Sequence, residues 1–222
     1  LQNSDDFAIV MKVKKGISMK LYKKFKKLGI TKMDLRVCIE GPYGHTERGF
    51  TNKHDQLTIV TTGTGVAGPI GYLSSHRASN TFDGSLKTNV LNWGVRSPLI
   101  IKAFEDEIKT IVEKEDLNVK INIYCRKFDL TETIKPKESS SSSSESSLDN
   151  ILFKFNPKVQ FHACYMNSKD CVDETFENYE SSIIMTCGLM AVSYQVKKQY
   201  MANIIKDKSG KNFGFIDESQ SW

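Results

Sequence analysis

The sequence predicts an α/β fold: a doubly wound parallel sheet of about five strands, preceded by the tail end of a β-barrel. Three features carry this. From Gln56 onward, short apolar runs alternate with helix-length segments. Glycine-bearing turns directly follow two of those apolar runs. The stretch ahead of Gln56 holds strand-like pieces too few to make a domain alone. The boundary is expected between residues 54 and 55, with residues 1–54 as the barrel remnant and residues 55–222 as the sheet domain.

In the first segment, residues 7–13 (FAIVMKV) suit a short strand, and Lys14-Lys15-Gly16 ends it with turn chemistry. Ser18 is placed to cap a helix in which Leu21, Phe25 and Leu28 recur at i, i+4 and i+7. Residues 35–39 (LRVCI) form the next strand and run into Glu40-Gly41-Pro42-Tyr43-Gly44, a tight turn.

Residues 56–76 (QLTIVTTGTGVAGPIGYLSSH) read as a buried strand, a glycine-rich turn and a helix starting near Val66. Residues 86–93 supply a second strand, 98–113 a helix and 119–125 (VKINIYC) a third strand. Right-handed crossovers between such units give a parallel sheet covered on both faces. Residues 135–149 (KPKESSSSSSESSLD) have too little apolar surface to offset ordering entropy and read as a surface insertion. After them come VQFHACYM, the strand SSIIMTC from Ser181, a helix over 192–204 and a final FGFIDESQSW.

Composition narrows the function. A hydrophobic content of 39% supports a packed core. No run approaches the roughly 18–20 apolar residues that cross a bilayer, and the first residues lack signal-peptide order, so the chain as given reads as soluble. It opens on Leu1 rather than Met, and more chain is expected before it. Cys38, Cys125, Cys164, Cys171 and Cys187 show neither C-x-x-C pairs nor zinc spacing, so no metal site is expected and a reducing, cytosolic setting is the simplest one. The net charge of +5 is concentrated early, because residues 7–33 are rich in lysine and hold no acid. A solvated face is the plain reading of that run, and contact of residues 12–27 with anionic lipid or an acidic partner is the sharper one. With no aromatic-basic repeat, nucleic acid is not an expected partner.

Three places can carry chemistry. Gly63-Thr64-Gly65-Val66 sits at a strand-to-helix turn, where glycines let a backbone approach a pyrophosphate and free helix N–H groups face it. A purely structural turn would look the same, and Gly68-Pro69 breaks the G-x-G-x-x-G fingerprint. Cys187-Gly188-Leu189 ends another apolar strand, the position at which open α/β sheets bind ligands, although a buried cysteine is usually core filler. Trp222, an aromatic at the chain end, is either chance or a cap for something flat.

Taken in order, Glu40-Gly41-Pro42-Tyr43-Gly44, the T-G-T-G-V-A loop, Trp93-Gly94-Val95-Arg96, Tyr124-Cys125-Arg126, Cys187-Gly188-Leu189 and a terminal aromatic resemble the ferredoxin–NADP reductase superfamily. The E-G-P-Y-G, W-x-V-R and D-E-S-Q-S-W forms resemble its fungal ferric- and cupric-chelate reductases. The likeness spans nearly the whole chain apart from the serine-rich insertion. It implies a flavin-binding barrel ahead of an NADPH-binding domain, on the cytosolic side of the plasma membrane, joined in the parent protein to transmembrane domains with haem b. NADPH would pass a hydride to FAD, and electrons would go through the haems to extracellular Fe(III) or Cu(II).

By the same resemblance, Gly63, Thr64, Gly65 and Val66 cradle pyrophosphate and ribose. Arg126, beside Cys125, faces the 2′-phosphate, with Arg96 a further phosphate candidate. Cys187, with Gly188 and Leu189, lies beside the nicotinamide; Trp222 stacks on the flavin, and Gly41, Pro42, Tyr43 and Gly44 shape the flavin side of the cleft. The pattern departs from the family in three ways. The upstream flavin-binding segment is absent, Ala163-Cys164-Tyr165 replaces G-R-P after His162, and C-G-L replaces C-G-P. An NADPH oxidase reducing dioxygen, and a nucleotide-sensing module without turnover, are the competing readings.

Overall fold

The structure, a computed structural model, describes residues 13–35, 53–75, 80, 83–126, 151 and 153–220. The chain separates into two compact units, Leu1–Thr46 and Glu47–Trp222.

In the smaller unit the described element is helix α1, Ile17–Leu28. Gly16, not Ser18, occupies its N-cap position, with φ at 104°. Ser18 lies inside the first turn instead, where its Oγ accepts from the Lys14 N–H at 3.0 Å and donates to the Lys14 carbonyl at 3.1 Å. Gly29 ends the helix in the left-handed conformation, and the N–H groups of Gly29 and Ile30 reach back to the Lys26 and Phe25 carbonyls. The strands expected at residues 7–13 and 35–39, and the turn at residues 40–44, lie outside the described residues apart from Val13 and Leu35.

The larger unit is a six-stranded sheet in the order β4-β3-β2-β1-β5-β6, with every neighbouring pair parallel. Its strands are β1 (Gln56–Thr62), β2 (Thr88–Gly94), β3 (Val119–Tyr124), β4 (Val159–His162), β5 (Ser181–Leu189) and β6 (Asn212–Gln220). A single 3-10 turn, Gly63–Val66, leads from β1 into α2, Ala67–Ser74. Helices α3 (Pro98–Lys102) and α4 (Glu105–Glu113) join β2 to β3, while α5 (Ser168–Asn178) and α6 (Met190–Lys206) precede and follow β5.

Period-two alternation sends Leu57, Ile59, Leu91, Trp93, Ile121 and Ile123 into one core with Leu73, Ile101, Ile108 and Ile111 of α2 to α4. Val60 and Ile184 point to the other face, into a smaller core with Val172 and Phe176 of α5 and Val196 of α6. The sheet is thus covered on both faces, as its continuous apolar strands require.

Three elements differ from the sequence reading. The helix expected over 98–113 is two helices, because Phe104 turns inward to 2% exposure and meets the Trp93 ring edge-on at 5.9 Å. Ser97 caps the first with Pro98 at its start, and Glu105, Asp106 and Glu107 place carboxylates in the first turn of the second. Segment 167–180 carries α5, capped by the Asn167 side chain accepting from the Lys169 N–H. The final FGFIDESQSW largely becomes β6, whose parallel register with β5 runs through to Leu189 opposite Gln220. The serine-rich insertion lies outside the described residues.

At the amino edge of the sheet, Lys87 is fully buried, and burial pushes its ammonium down to about 8 despite the nearby Asp55 carboxylate. Between pH 8 and its ordinary value of 10.5 the unfolded chain holds one proton more at this residue than the folded chain. Its contribution to stability therefore rises with pH across that window. Urea titrations of wild type and Lys87→Met should show a stability difference that shifts in favour of wild type by on the order of 2–3 kcal/mol between pH 8 and 10.5. A difference independent of pH would show that Lys87 is not perturbed by burial.

Candidate functional site

Strand order reverses beside β1: β2, β3 and β4 are added on one side, β5 and β6 on the other. At such a reversal the connections leave in opposite directions, so a crevice opens beyond the carboxyl ends of the two central strands. Here those ends are Thr62, leading into Gly63-Thr64-Gly65, and Cys187-Gly188-Leu189.

The two turns are held in backbone contact. A Cβ on Gly65 would fall 2.6 Å from the Gly188 Cα and 2.8 Å from its nitrogen. Gly188 has φ at 115°, and a Cβ there would lie 2.7 Å from Thr62 Oγ1 and 2.8 Å from the Thr62 carbonyl. Neither position has room for any other residue. Side chains lock the contact: Thr61 Oγ1 donates to the Cys187 carbonyl at 2.9 Å, and the Leu189 N–H donates to Thr62 Oγ1 at 3.1 Å. The buried Trp93 indole N–H donates to the Gly63 carbonyl at 2.8 Å, fixing the turn from below. Gly63 itself, with φ at 55°, has open space where a Cβ would point.

Cys187 is half-buried between these turns and close to Gly68 of α2. Burial, then the Glu218 and Asp217 carboxylates of β6, push its thiol up to about 11. At neutral pH it is therefore a neutral thiol and not a nucleophilic thiolate. Behind it, Asp217 Oδ1 accepts from Ser193 Oγ at 2.7 Å and from Thr186 Oγ1 at 3.2 Å, tying β6 and α6 to the end of β5. Leu189 is 56% exposed beside Gly188.

Arg96 and Arg126 each lie two residues beyond Gly94 and Tyr124, which are register partners on β2 and β3. Both side chains are exposed at the carboxyl edge. The Arg126 guanidinium sits 5.4 Å over the Tyr165 ring, and Nη1 donates to Tyr165 Oη at 3.5 Å, a bond that raises its pKa further. Tyr165 belongs to the Ala163-Cys164-Tyr165 segment that stands where the family pattern has G-R-P. Its neighbour Met166 packs on Gly94.

Two expected site side chains point elsewhere. Val66 and Cys125 have no exposed surface and belong to the larger core, because alternation along β3 turns position 125 inward and the 3-10 turn buries Val66 under α2. Only their backbones reach the edge. Gly41, Pro42, Tyr43, Gly44 and Trp222 lie outside the described residues; β6 ends at Gln220, two residues before Trp222, at the same edge as Gly188. Sequence reasoning assigned no contact to Thr61, Thr62 or Tyr165 and missed the anchoring role of Trp93. A threonine pair directly ahead of G-x-G was the available signal for the first two. Among the described residues, no group of His, Cys, Asp and Glu could hold a metal ion.

Residues 54–201 match the family of the ferric reductase NAD-binding domain. The chain belongs to that family. It is a nicotinamide-nucleotide-binding domain of reductase type, and its parallel sheet is the α/β fold that such a ferredoxin-reductase-like domain requires. It is similar to two proteins of Saccharomyces cerevisiae: ferric/cupric reductase transmembrane component 2, 25% identical over 236 residues, and ferric reductase transmembrane component 3, 26% identical over 228 residues. These alignments cover 100% and 98% of this chain but 32% and 31% of the relatives, so the chain spans about a third of their length. No helix among the described residues is long and apolar enough to cross a membrane.

The backbone contact yields a stability contrast. Gly65→Ala and Gly188→Ala should each lower unfolding free energy by about 2–4 kcal/mol, because backbone and not a flexible side chain must yield. Gly71→Ala, inside α2 with nothing within 4 Å of the added methyl, should raise it by about 0.5–1 kcal/mol. Chemical denaturation of the three variants measures all of this, and equal effects at the three positions would contradict the close approach.

Proposed function

We propose that this domain binds NADPH in the crevice between β1 and β5 and serves as the nucleotide-binding end of a ferric- or cupric-chelate reductase. The observation that carries the reading is the contact of Gly65 with Gly188, which joins two glycine turns into one floor at the strand-order reversal. The fit is physical: Gly63 leaves open space at the head of the 3-10 turn that leads into α2, where backbone can approach a phosphate closely. Reduced nicotinamide, when bound, would supply a hydride to a flavin, from which single electrons would go through haem b in the parent protein to extracellular Fe(III) or Cu(II).

Each residue then has a role. The backbone of Gly63, Thr64, Gly65 and Val66 holds the pyrophosphate, while Arg126 and more weakly Arg96 meet the 2′-phosphate. Tyr165 keeps the Arg126 guanidinium in place by ring contact and hydrogen bond. Cys187 offers a neutral, polarisable surface to the nicotinamide, and Gly188 and Leu189 flank it. The backbone of Cys125 ends the strand that presents Arg126. Trp222, which β6 brings to within two residues of this edge, covers the flavin until nucleotide displaces it. Residues 1–54 are the end of the flavin-binding barrel, with Gly41, Pro42, Tyr43 and Gly44 on the flavin side, and residues 55–222 form the nucleotide domain. The parent protein is placed in the plasma membrane with this domain on the cytosolic side.

Removing the guanidinium discriminates between the nucleotides. Arg126→Ala should weaken NADPH binding roughly ten- to a hundredfold and leave NADH nearly unchanged, because a charge-assisted phosphate contact is worth about 1.5–3 kcal/mol. Fluorescence titration with both nucleotides measures it, and equal losses would take Arg126 away from the 2′-phosphate. Trp222→Ala in the flavin-loaded reductase should tighten NADP⁺ binding and slow turnover, since no indole then opposes nicotinamide stacking. Unchanged dissociation constants and rate would reduce Trp222 to a chain end.

A further inference from the structure

The lysine-rich helix α1 is not absorbed by the nucleotide site. None of its residues is buried, its first turn holds no acid, and Ile17 and Leu28 are 73% and 53% exposed. At 100° per residue, Ile17, Leu21, Phe25 and Leu28 fall within one quarter of the helix circumference. Lys20, Lys23, Lys24, Lys26 and Lys27 fill the arc on the other side. Leu21 and Phe25 are half-buried, whereas Ile17 and Leu28, which border the lysine arc at Lys24, are open. Lys14 and Lys15 before the helix and Lys32 after it extend the same charge, and the first acid of the described segment is Asp34.

We propose that this helix lies against an anionic lipid surface, with the lysine arc on headgroup phosphates and carboxylates and Ile17 and Leu28 entering the headgroup boundary. A purely solvated helix face needs no such segregation, and it normally mixes acids with lysines in i, i+4 pairs. Here every lysine of the face lacks an acidic neighbour on its own helix, and an external anion layer would relieve the repulsion among them. Long lysine stems can lie along apolar surface while their ammonium groups reach headgroups. The proposal takes from the functional reading only that the parent reductase sits in a membrane; it does not depend on nucleotide binding.

Co-sedimentation of the 222-residue chain with phosphatidylcholine vesicles, and with vesicles in which a third of the lipid is phosphatidylserine, tests it. Binding is expected to the anionic vesicles alone and to fall as salt rises from 0.05 to 0.5 M. The quadruple substitution Lys20→Glu, Lys23→Glu, Lys24→Glu, Lys27→Glu should lower partitioning at least about a hundredfold. Ile17→Ser with Leu28→Ser should lower it several-fold, with both variants keeping wild-type circular dichroism and NADPH affinity. Charge-to-Gln substitution at the same lysines serves if the reversal perturbs folding. Equal binding to both vesicle types, binding to neither, or a dimer that dissociates on Ile17→Ser would each overturn the proposal, the last two pointing to an acidic protein or a second copy as the true occupant. A loss of NADPH affinity in wild type would instead count against the nucleotide site and leave this proposal standing.

Discussion

The constraint on which the site depends is the approach of two backbone turns to less than a side chain's width. Where strand order reverses, β1 and β5 are direct neighbours, and their exits must share one small space. Any Cβ at Gly65 or Gly188 would keep them apart. Because both positions lack one, Thr61 and Thr62 can bridge from β1 to the Cys187 carbonyl and the Leu189 N–H. The crevice is therefore a consequence of sheet topology, and the glycines allow its floor to close. Gly63, where an added Cβ would meet no atom within 4 Å, is the place on that floor that stays open.

Most of the sheet was legible because its strands are buried on both faces. β1 reads as an unbroken apolar-and-threonine run, and nearly all its residues are buried, so composition alone marked it. The helix α5 was not legible for the opposite reason. SKDCVDETFEN is mostly polar, and its packing face is made from Cys171, Val172, Thr175 and Phe176, with Thr175 bonding to Thr58 instead of adding apolar area. β6 escaped notice because its apolar stretch, Phe213 to Ile216, turns abruptly into Asp217 and Glu218. Those acids belong to the strand only because pairing with β5 continues past them. The break between α3 and α4 is likewise tertiary: Phe104 leaves the helical path to meet Trp93, and no local signal forbids one continuous helix.

At the site, residue types were more legible than directions. The order of motifs identified which turns matter, yet Cys125 and Val66 face the core, since alternation along a strand and one extra 3-10 turn decide direction residue by residue. Tyr165 shows the converse. It stands in a segment that departs from the family pattern, where the sequence alone offered no partner for Arg126. Folded, it places a ring and a hydroxyl against Arg126, so the departure exchanges one way of holding the carboxyl edge for another.

The carboxylates of β6 give the chain end a chemical role beyond reach. Asp217 binds Ser193 and Thr186, while burial first, and then the charges of Glu218 and Asp217, push the Cys187 thiol up to about 11. One strand thus fixes the first turn of α6, adds to the effect of burial on Cys187 and ends at Gln220. A thiolate at Cys187 would invite oxidation and would present negative charge to whatever stacks beside it. Burial and the two acids oppose this together, and the Asp217 carboxylate is held by the Ser193 and Thr186 hydroxyls. The same acids that obscured β6 in the sequence thus add to burial in keeping the Cys187 thiol neutral at the carboxyl end of β5, a condition that suits the proposed approach of an uncharged, reduced nicotinamide ring.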